Sequence, residues 1–249
     1  MSRSIVLGLG ATRYVALIAM MGLALPTSAS ATWSIVAVDP TTGEVGSAGA
    51  SCTSYVAGIV GVVPGKGVIV AQAMSNPLAR RLGIELLRQG KSPTAVVSAI
   101  TSPVFDDSFA EQQYGVAALA FAGAPAAFTG ADTHGWHGHL LAPGVAVQGN
   151  ILTGPEVVSA TLDAFRKDPA RPLAERLLAA LEAGGASGGD RRCGSQTARS
   201  AYLVVARPGD SASAPAVRIV VPGQGEGGPN PVHLLRQRYG LGTAGRVLP

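Results

Sequence analysis

The chain is poor in the features that announce most functions. Only 14% of its 249 residues are charged and 5% are aromatic. The arginines are scattered, no basic helix stands out, and few rings are available to stack on bases, so nothing resembles a nucleic-acid footprint. Cysteine is limited to Cys52 and Cys193, and neither sits in a CxxC pair, which leaves a zinc or redox motif little support. Beyond the first 25 residues no apolar run reaches the roughly 20 residues that a spanning helix needs. None of the lysines, Lys66, Lys91 and Lys167, has a serine three positions before it, which removes the Ser-x-x-Lys hydrolases. "GVVPGKG" (61–67) has one residue too few and a glycine where a phosphate loop needs Ser or Thr. "GASCT" (49–53) lacks the second glycine of a nucleophile elbow.

What is present begins with a leader. Arg3 and Arg13 precede the apolar run "YVALIAMMGLAL" (14–25), then come Pro26 and a string of small residues ending Ala29-Ser30-Ala31. That is the charged, apolar and small-residue order of a secretory signal peptide, cut after Ala31. Twelve apolar residues fall short of a membrane anchor. Residues 1–31 carry two arginines and no acid, so removing them leaves 218 residues with 17 basic and 15 acidic side chains. The reading is an exported protein, periplasmic or extracellular, with no membrane partner after cleavage. In an oxidising compartment an even pair of cysteines reads as a disulfide, the alternative being two separate buried thiols.

Alternation in "WSIVAVD" (33–39) and "VGSAGASC" (45–52) suggests a hairpin, and two more strand-like runs fill 57–73. Asn76-Pro77 and Ser92-Pro93 are helix starts, as are Pro155 and Pro172. Strands are expected at 114–123, 126–130, 144–149, 200–206 and 216–221. Strands, two helices, strands, two helices, strands is not the alternation of a parallel α/β sheet. It suggests an α+β fold of two largely antiparallel sheets faced by helices, a four-layer αββα sandwich, in one domain over 32–221. Residues 222–249 read as a Gly/Pro-rich tail with one short helix, "VHLLRQRY". "DTHGWHGH" (132–139) gathers Asp132, His134, His137 and His139, a ligand set that zinc or copper can use. A polar loop rich in histidine is the plainer reading, and no metal or cofactor is assigned.

Thr32 would be the first residue of the mature chain. A threonine hydroxyl needs a base, and an N-terminal threonine carries one in its own α-amine, whose reference pKa is about 7.7–8.0. "TWSIVAVDPTTGEVGSAGAS" (32–51), "AQAMSNP" (71–77), "VQGNILTGPEVV" (147–158) and "PLAERLLAALEAGGASGGDRR" (172–192) together resemble an uncharacterised bacterial domain-of-unknown-function family, family ten twenty-eight, assigned to the Ntn-hydrolase superfamily. The resemblance implies the αββα sandwich and no settled substrate. Some members carry pilin-like labels and some a peptidoglycan-binding C-terminal segment, of which 227–241 would be a remnant. The order of elements is also similar to a proteasome β-type subunit. That likeness implies Thr32 as nucleophile, Lys66 as the cation beside it, Gly149 and Asn150 facing an oxyanion, and Asp190 ordering the nucleophile. It also brings the loop after Asp190, with Cys193, beside Cys52. No acidic residue occurs in 46–51, where such subunits carry an aspartate. The expected function is an amidohydrolase or peptidase acting on a small-molecule or peptide amide. A homo-oligomer and an association with peptidoglycan stay open. The competing expectation is a catalytically silent cell-envelope or surface-assembly protein.

Overall fold

The computed structural model describes Met1 and residues 31–244. The expected leader, apart from its two ends, lies outside the described residues. Residue parity along the first strand, β1 (Thr32–Asp39), sorts its side chains between two cores. Trp33, Ile35 and Ala37 enter one apolar cluster and Val36 and Val38 another, as alternation across a pleat requires. β1 turns back into β2 (Glu44–Ser51). β3 (Val60–Val63) and β4 (Gly67–Ala73) follow as a second hairpin. Asn76 then accepts from the Leu78 and Ala79 N–H groups at 2.8 and 3.1 Å and, with Pro77 in the first turn, starts helix α1 (Pro77–Arg88). Ser92 caps α2 (Pro93–Ile100) in the same way, so both expected helix starts are where the sequence puts them.

Next come β5 (Gln112–Ala118), β6 (Ala126–Thr129), β7 (Trp136–Ala142) and β8 (Val145–Leu152). Helices α3 (Glu156–Arg166) and α4 (Leu173–Ala186) lead to β9 (Ser200–Ala206), β10 (Val217–Val221) and α5 (Pro231–Ala244). One sheet has the order β10-β9-β2-β1-β8-β7 and the other β3-β4-β5-β6, and the pairings are antiparallel.

Three apolar clusters give the layers. One packs α3, α4 and α5 on the six-stranded sheet, with Trp33, Leu177 and Leu181 fully buried. A second lies between the sheets, around Val36, Val70, Ala146 and Tyr202. A third packs α1 and α2 on the four-stranded sheet through Ile69, Leu87, Val96 and Val116. Helix, sheet, sheet, helix is consistent with a four-layer αββα arrangement. The tail helix α5 joins the first cluster through Val232 and Leu235. β7 is the element that the polar-loop reading of 132–139 missed. It is an edge strand of half-buried and exposed residues, so its glycines and histidines carry no inward apolar alternation to read. Among the described residues no helix is long and apolar enough to cross a membrane.

Tyr202 is fully buried between the sheets with its hydroxyl 2.7 Å from Ser47 Oγ, and the Tyr114 hydroxyl donates to Gln112 Oε1. Burial pushes both phenols well above the ordinary tyrosine range, and for Tyr114 the Asp106 carboxylate adds to it. The folded state thus keeps these protons after the unfolded chain, ionising near pH 10, has begun to lose them. Their contribution to stability should be complete below about pH 10 and lost as pH rises above it. Urea unfolding between about pH 8 and 11 checks this, and Tyr202→Phe should flatten the decline.

Candidate active site

Strand pairing alone gathers a polar row at one end of the six-stranded sheet. Thr32 is in register with Ser51 of β2 on one side and Asn150 of β8 on the other, and Ser51 with Ser200 of β9. All four are buried, and parity turns them toward the other sheet, as it does Ser34. Thr32 Oγ1 is buried and has no hydrogen-bond partner among the described residues. The carbonyl of Ala31, one bond upstream, accepts from the Ser51 hydroxyl and from Arg192 Nη2 at 3.3 Å. Ser51 Oγ in turn accepts from Thr53 N at 3.1 Å and Thr53 Oγ1 at 3.0 Å.

Asp190 follows α4 and bridges to Leu152 at the end of β8, so it sits fully buried beside this row. Its carboxylate accepts from Cys52 N at 2.6 Å, from Arg192 N at 3.0 Å, and from Arg192 Nε and Nη2 at 3.1 and 2.9 Å. A buried carboxylate is tolerable only with such a shell. Arg192 therefore links Asp190 to the Ala31–Thr32 bond. Cys52 and Cys193 form a disulfide with their Cα atoms 5.7 Å apart, pinning the Asp190 loop to the end of β2.

Beneath the row, four fully buried polar side chains join the sheets. Gln148 Nε2 donates to Ser34 Oγ at 2.6 Å, and Ser34 Oγ donates to Gln72 Oε1 at 2.6 Å. Gln72 Nε2 reaches Gln113 Oε1 at 2.7 Å and the Thr32 carbonyl at 3.3 Å. Gln113 Nε2 lies 2.9 Å from the Gly149 carbonyl, 2.8 Å from Thr129 Oγ1 and 3.1 Å from the Gly138 carbonyl. Gly115 makes room, since a Cβ there would stand 2.0 Å from Gln148 Oε1. Gly149 is held equally close, 2.3 Å separating its virtual Cβ from Leu152 Cδ1. Three non-glycine residues in the left-handed region surround the site: Ala73 follows Gln72, Ile151 follows Asn150, and the Thr197 carbonyl accepts from Asp190 N at 3.0 Å. Strain of this kind gathers at functional sites. Ala73 and Gln112 also line an open cavity of about 550 Å³ with Asn76 and Asp106.

Of the expected site residues, the structure brings together Thr32, Gly149, Asn150 and Asp190, and it does not bring Lys66. Lys66 is exposed in the β3–β4 turn, and its Nζ donates to the Arg88 carbonyl at the end of α1. It is Gln72, at the other end of β4, that touches Thr32, about 20 Å away at an extended rise of about 3.3 Å per residue. Lys66 lies before β4 as its flanking glycines suggest, at the end of that strand away from Thr32. Ser51, Gln72 and Gln113 went unassigned because each acts through register or a contact between sheets with no local motif, whereas Arg192 forms the salt bridge with Asp190 that a neighbouring arginine can supply. The histidines do not converge. His137 Nδ1 is 2.9 Å from the Gly135 carbonyl and His139 Nδ1 is 2.9 Å from Thr129 Oγ1. No three His, Cys, Asp or Glu side chains among the described residues form a group that could hold a metal.

Because the disulfide closes a separation of 141 residues, its removal should be costly. Replacing both cysteines by alanine should lower stability by about 2–5 kcal/mol. Denaturant unfolding of wild type and double variant measures the difference, and peptide mapping without reductant should recover Cys52 and Cys193 as one linked species.

No curated protein matches the chain. The crystal structure of a DUF1028 protein from Silicibacter pomeroyi superposes with a TM-score of 0.73 at 29% identity, covering 87% of this chain and 88% of that one. The profile of a family of unknown function, DUF1028, matches residues 32–226, from the first residue of β1 to past the end of β10. The chain that builds this buried threonine row belongs to the DUF1028 family.

Proposed function

We propose that this protein is an exported hydrolase of the Ntn type, cut after Ala31 so that Thr32 becomes its first residue and its nucleophile toward an amide or peptide bond. The observation that carries the reading is the state of Thr32. Its hydroxyl is buried without a partner among the described residues, and the bond to be cut lies where Ser51 and Arg192 converge on the Ala31 carbonyl. A buried hydroxyl left unsatisfied costs free energy, a state that Ser200 Oγ in the same row and Thr133 Oγ1 share, and Thr32 alone of the three adjoins the bond to be cut.

In the mature chain the α-amine of Thr32 accepts the Oγ1 proton as Oγ1 adds to the substrate carbonyl. The oxyanion faces the Asn150 side chain and the Gly149–Asn150 backbone, opposite Thr32 and Trp33 in the sheet register. Collapse expels the leaving amine, which takes the proton from the α-amine. Water then hydrolyses the ester and regenerates Thr32. Arg192 takes the part first expected of Lys66. A cation near the α-amine lowers its proton affinity and enlarges the neutral fraction at pH 7. Asp190 holds that guanidinium in place.

Intact mass of the exported protein should place its N-terminus at Thr32, and a β-lactone probe should add once, at that residue. Thr32→Ala should abolish labelling, Thr32→Ser should retain it, and Asn150→Ala should slow it about 10²–10³-fold. Lys66→Ala should leave it unchanged. Arg192→Gln should move the acidic limb of the pH profile upward, since losing the cation raises the amine pKa. Equal labelling of wild type and Thr32→Ala, or no labelling of either across about pH 6–9, would sink the reading in favour of a catalytically silent envelope protein.

A further inference from the structure

We infer that Gln72 and Gln113 are positioning residues, a pair of linked amides that fixes the nucleophile Thr32 relative to Gly149 and Asn150; this rests on the hydrolase reading above. The packing between the two sheets is largely apolar. Cluster residues such as Val36, Val70 and Ala146 attract without direction. Ser34, Gln72, Gln113 and Gln148 break that pattern, and all four are fully buried. Polar groups so placed cost free energy unless bonded, and apolar residues of the same shape would serve stability about as well. What the amides add is direction.

The direction is legible in the donors. Gln148 donates to Ser34, Ser34 to Gln72, Gln72 to Gln113, a head-to-tail chain in which each bond polarises the next. The second N–H of Gln72 points to the carbonyl of Thr32, and Gln113 reaches the carbonyl of Gly149. Those two carbonyls belong to the nucleophile and to the residue just before Asn150. They lie on neighbouring strands, β1 and β8, and both are tied from the opposite sheet, by β4 and β5. The tie matters most after cleavage. Once the chain starts at Thr32, no upstream residue continues the ladder at that end, and a strand terminus frays. Gln72 supplies the missing constraint from below, at the residue whose position sets the rate. A nucleophile displaced by about 1 Å can lose about 10²-fold in rate.

The test uses the mature, full-length protein and the β-lactone probe, resolving reversible binding (Ki) from covalent inactivation (kinact). Gln72→Met and Gln113→Met keep the volume and remove the donors. Each should lower kinact about tenfold or more while Ki stays within about twofold. Tyr202→Phe removes a buried hydrogen bond to Ser47, remote from Thr32, and should leave both constants unchanged. Ser34→Ala, a smaller change that takes away only the hydroxyl orienting Gln72, should lower kinact about threefold and serves if a Met variant does not fold. Wild-type kinact in the folded Gln variants, or a loss shared equally by Tyr202→Phe, overturns the positioning role while the hydrolase reading stands. If wild type itself is never labelled, that reading falls and the positioning role falls with it.

Discussion

Asp190 is the charge around which this end of the molecule is organised. With no access to water, its carboxylate must be met by donors, and the donors come from two directions: the Cys52 amide at the end of β2, and Arg192 on its own loop. Satisfying Asp190 therefore forces the loop after α4 against β2. That in turn delivers a guanidinium to the Ala31 carbonyl and brings Cys193 to Cys52. Remove the carboxylate and the arginine, the disulfide and the Ala31–Thr32 bond lose their common reference. Few single residues in the fold have so many others conditional on them.

The polar row has a different origin. It follows from register alone, because antiparallel pairing sets Ser200, Ser51, Thr32 and Asn150 abreast, and alternation turns all four toward the facing sheet. A slip of one residue in β1 would send Thr32 to the helical side and bring Trp33 between the sheets. Trp33 guards against that slip. Its ring is buried under α4, where the indole N–H donates to the Leu181 carbonyl at 3.3 Å and no side chain on Gly184 interferes. The anchoring of a tryptophan on one face thus fixes a threonine on the other.

Much of this was legible in the sequence, and the limits have physical causes. The proline-started helices and the alternating strands near both ends of the fold could be read because their signals are local: caps, turns and period two. Thr32, Asn150 and Asp190 could be named through the likeness to a proteasome β-type subunit, and the structure places them side by side. Lys66 was misplaced because its flanking glycines describe a turn, and a turn says nothing about which end of the following strand meets β1. β7 escaped because an edge strand needs no apolar face. Gln72, Gln113 and Arg192 are ordinary polar residues in sequence. The contacts that tie them to Thr32, Gly149 and the Ala31 carbonyl reach across to the facing sheet or, for Arg192, to a residue more than 150 positions upstream.

The bridge between Cys52 and Cys193 also makes the polypeptide topologically circular over most of its length. The ring contains β3 to β8 and α1 to α4, while β1, β2, β9, β10 and α5 hang from it as two arms. The two arms pair with each other, β2 against β9, directly beside the clasp. A protease that nicks the ring, for instance at the exposed Val104 in the loop after α2, would leave one covalent molecule with both arms still paired. Only a nick together with a reductant would let the halves part. The clasp confers resistance to dismemberment rather than to cutting.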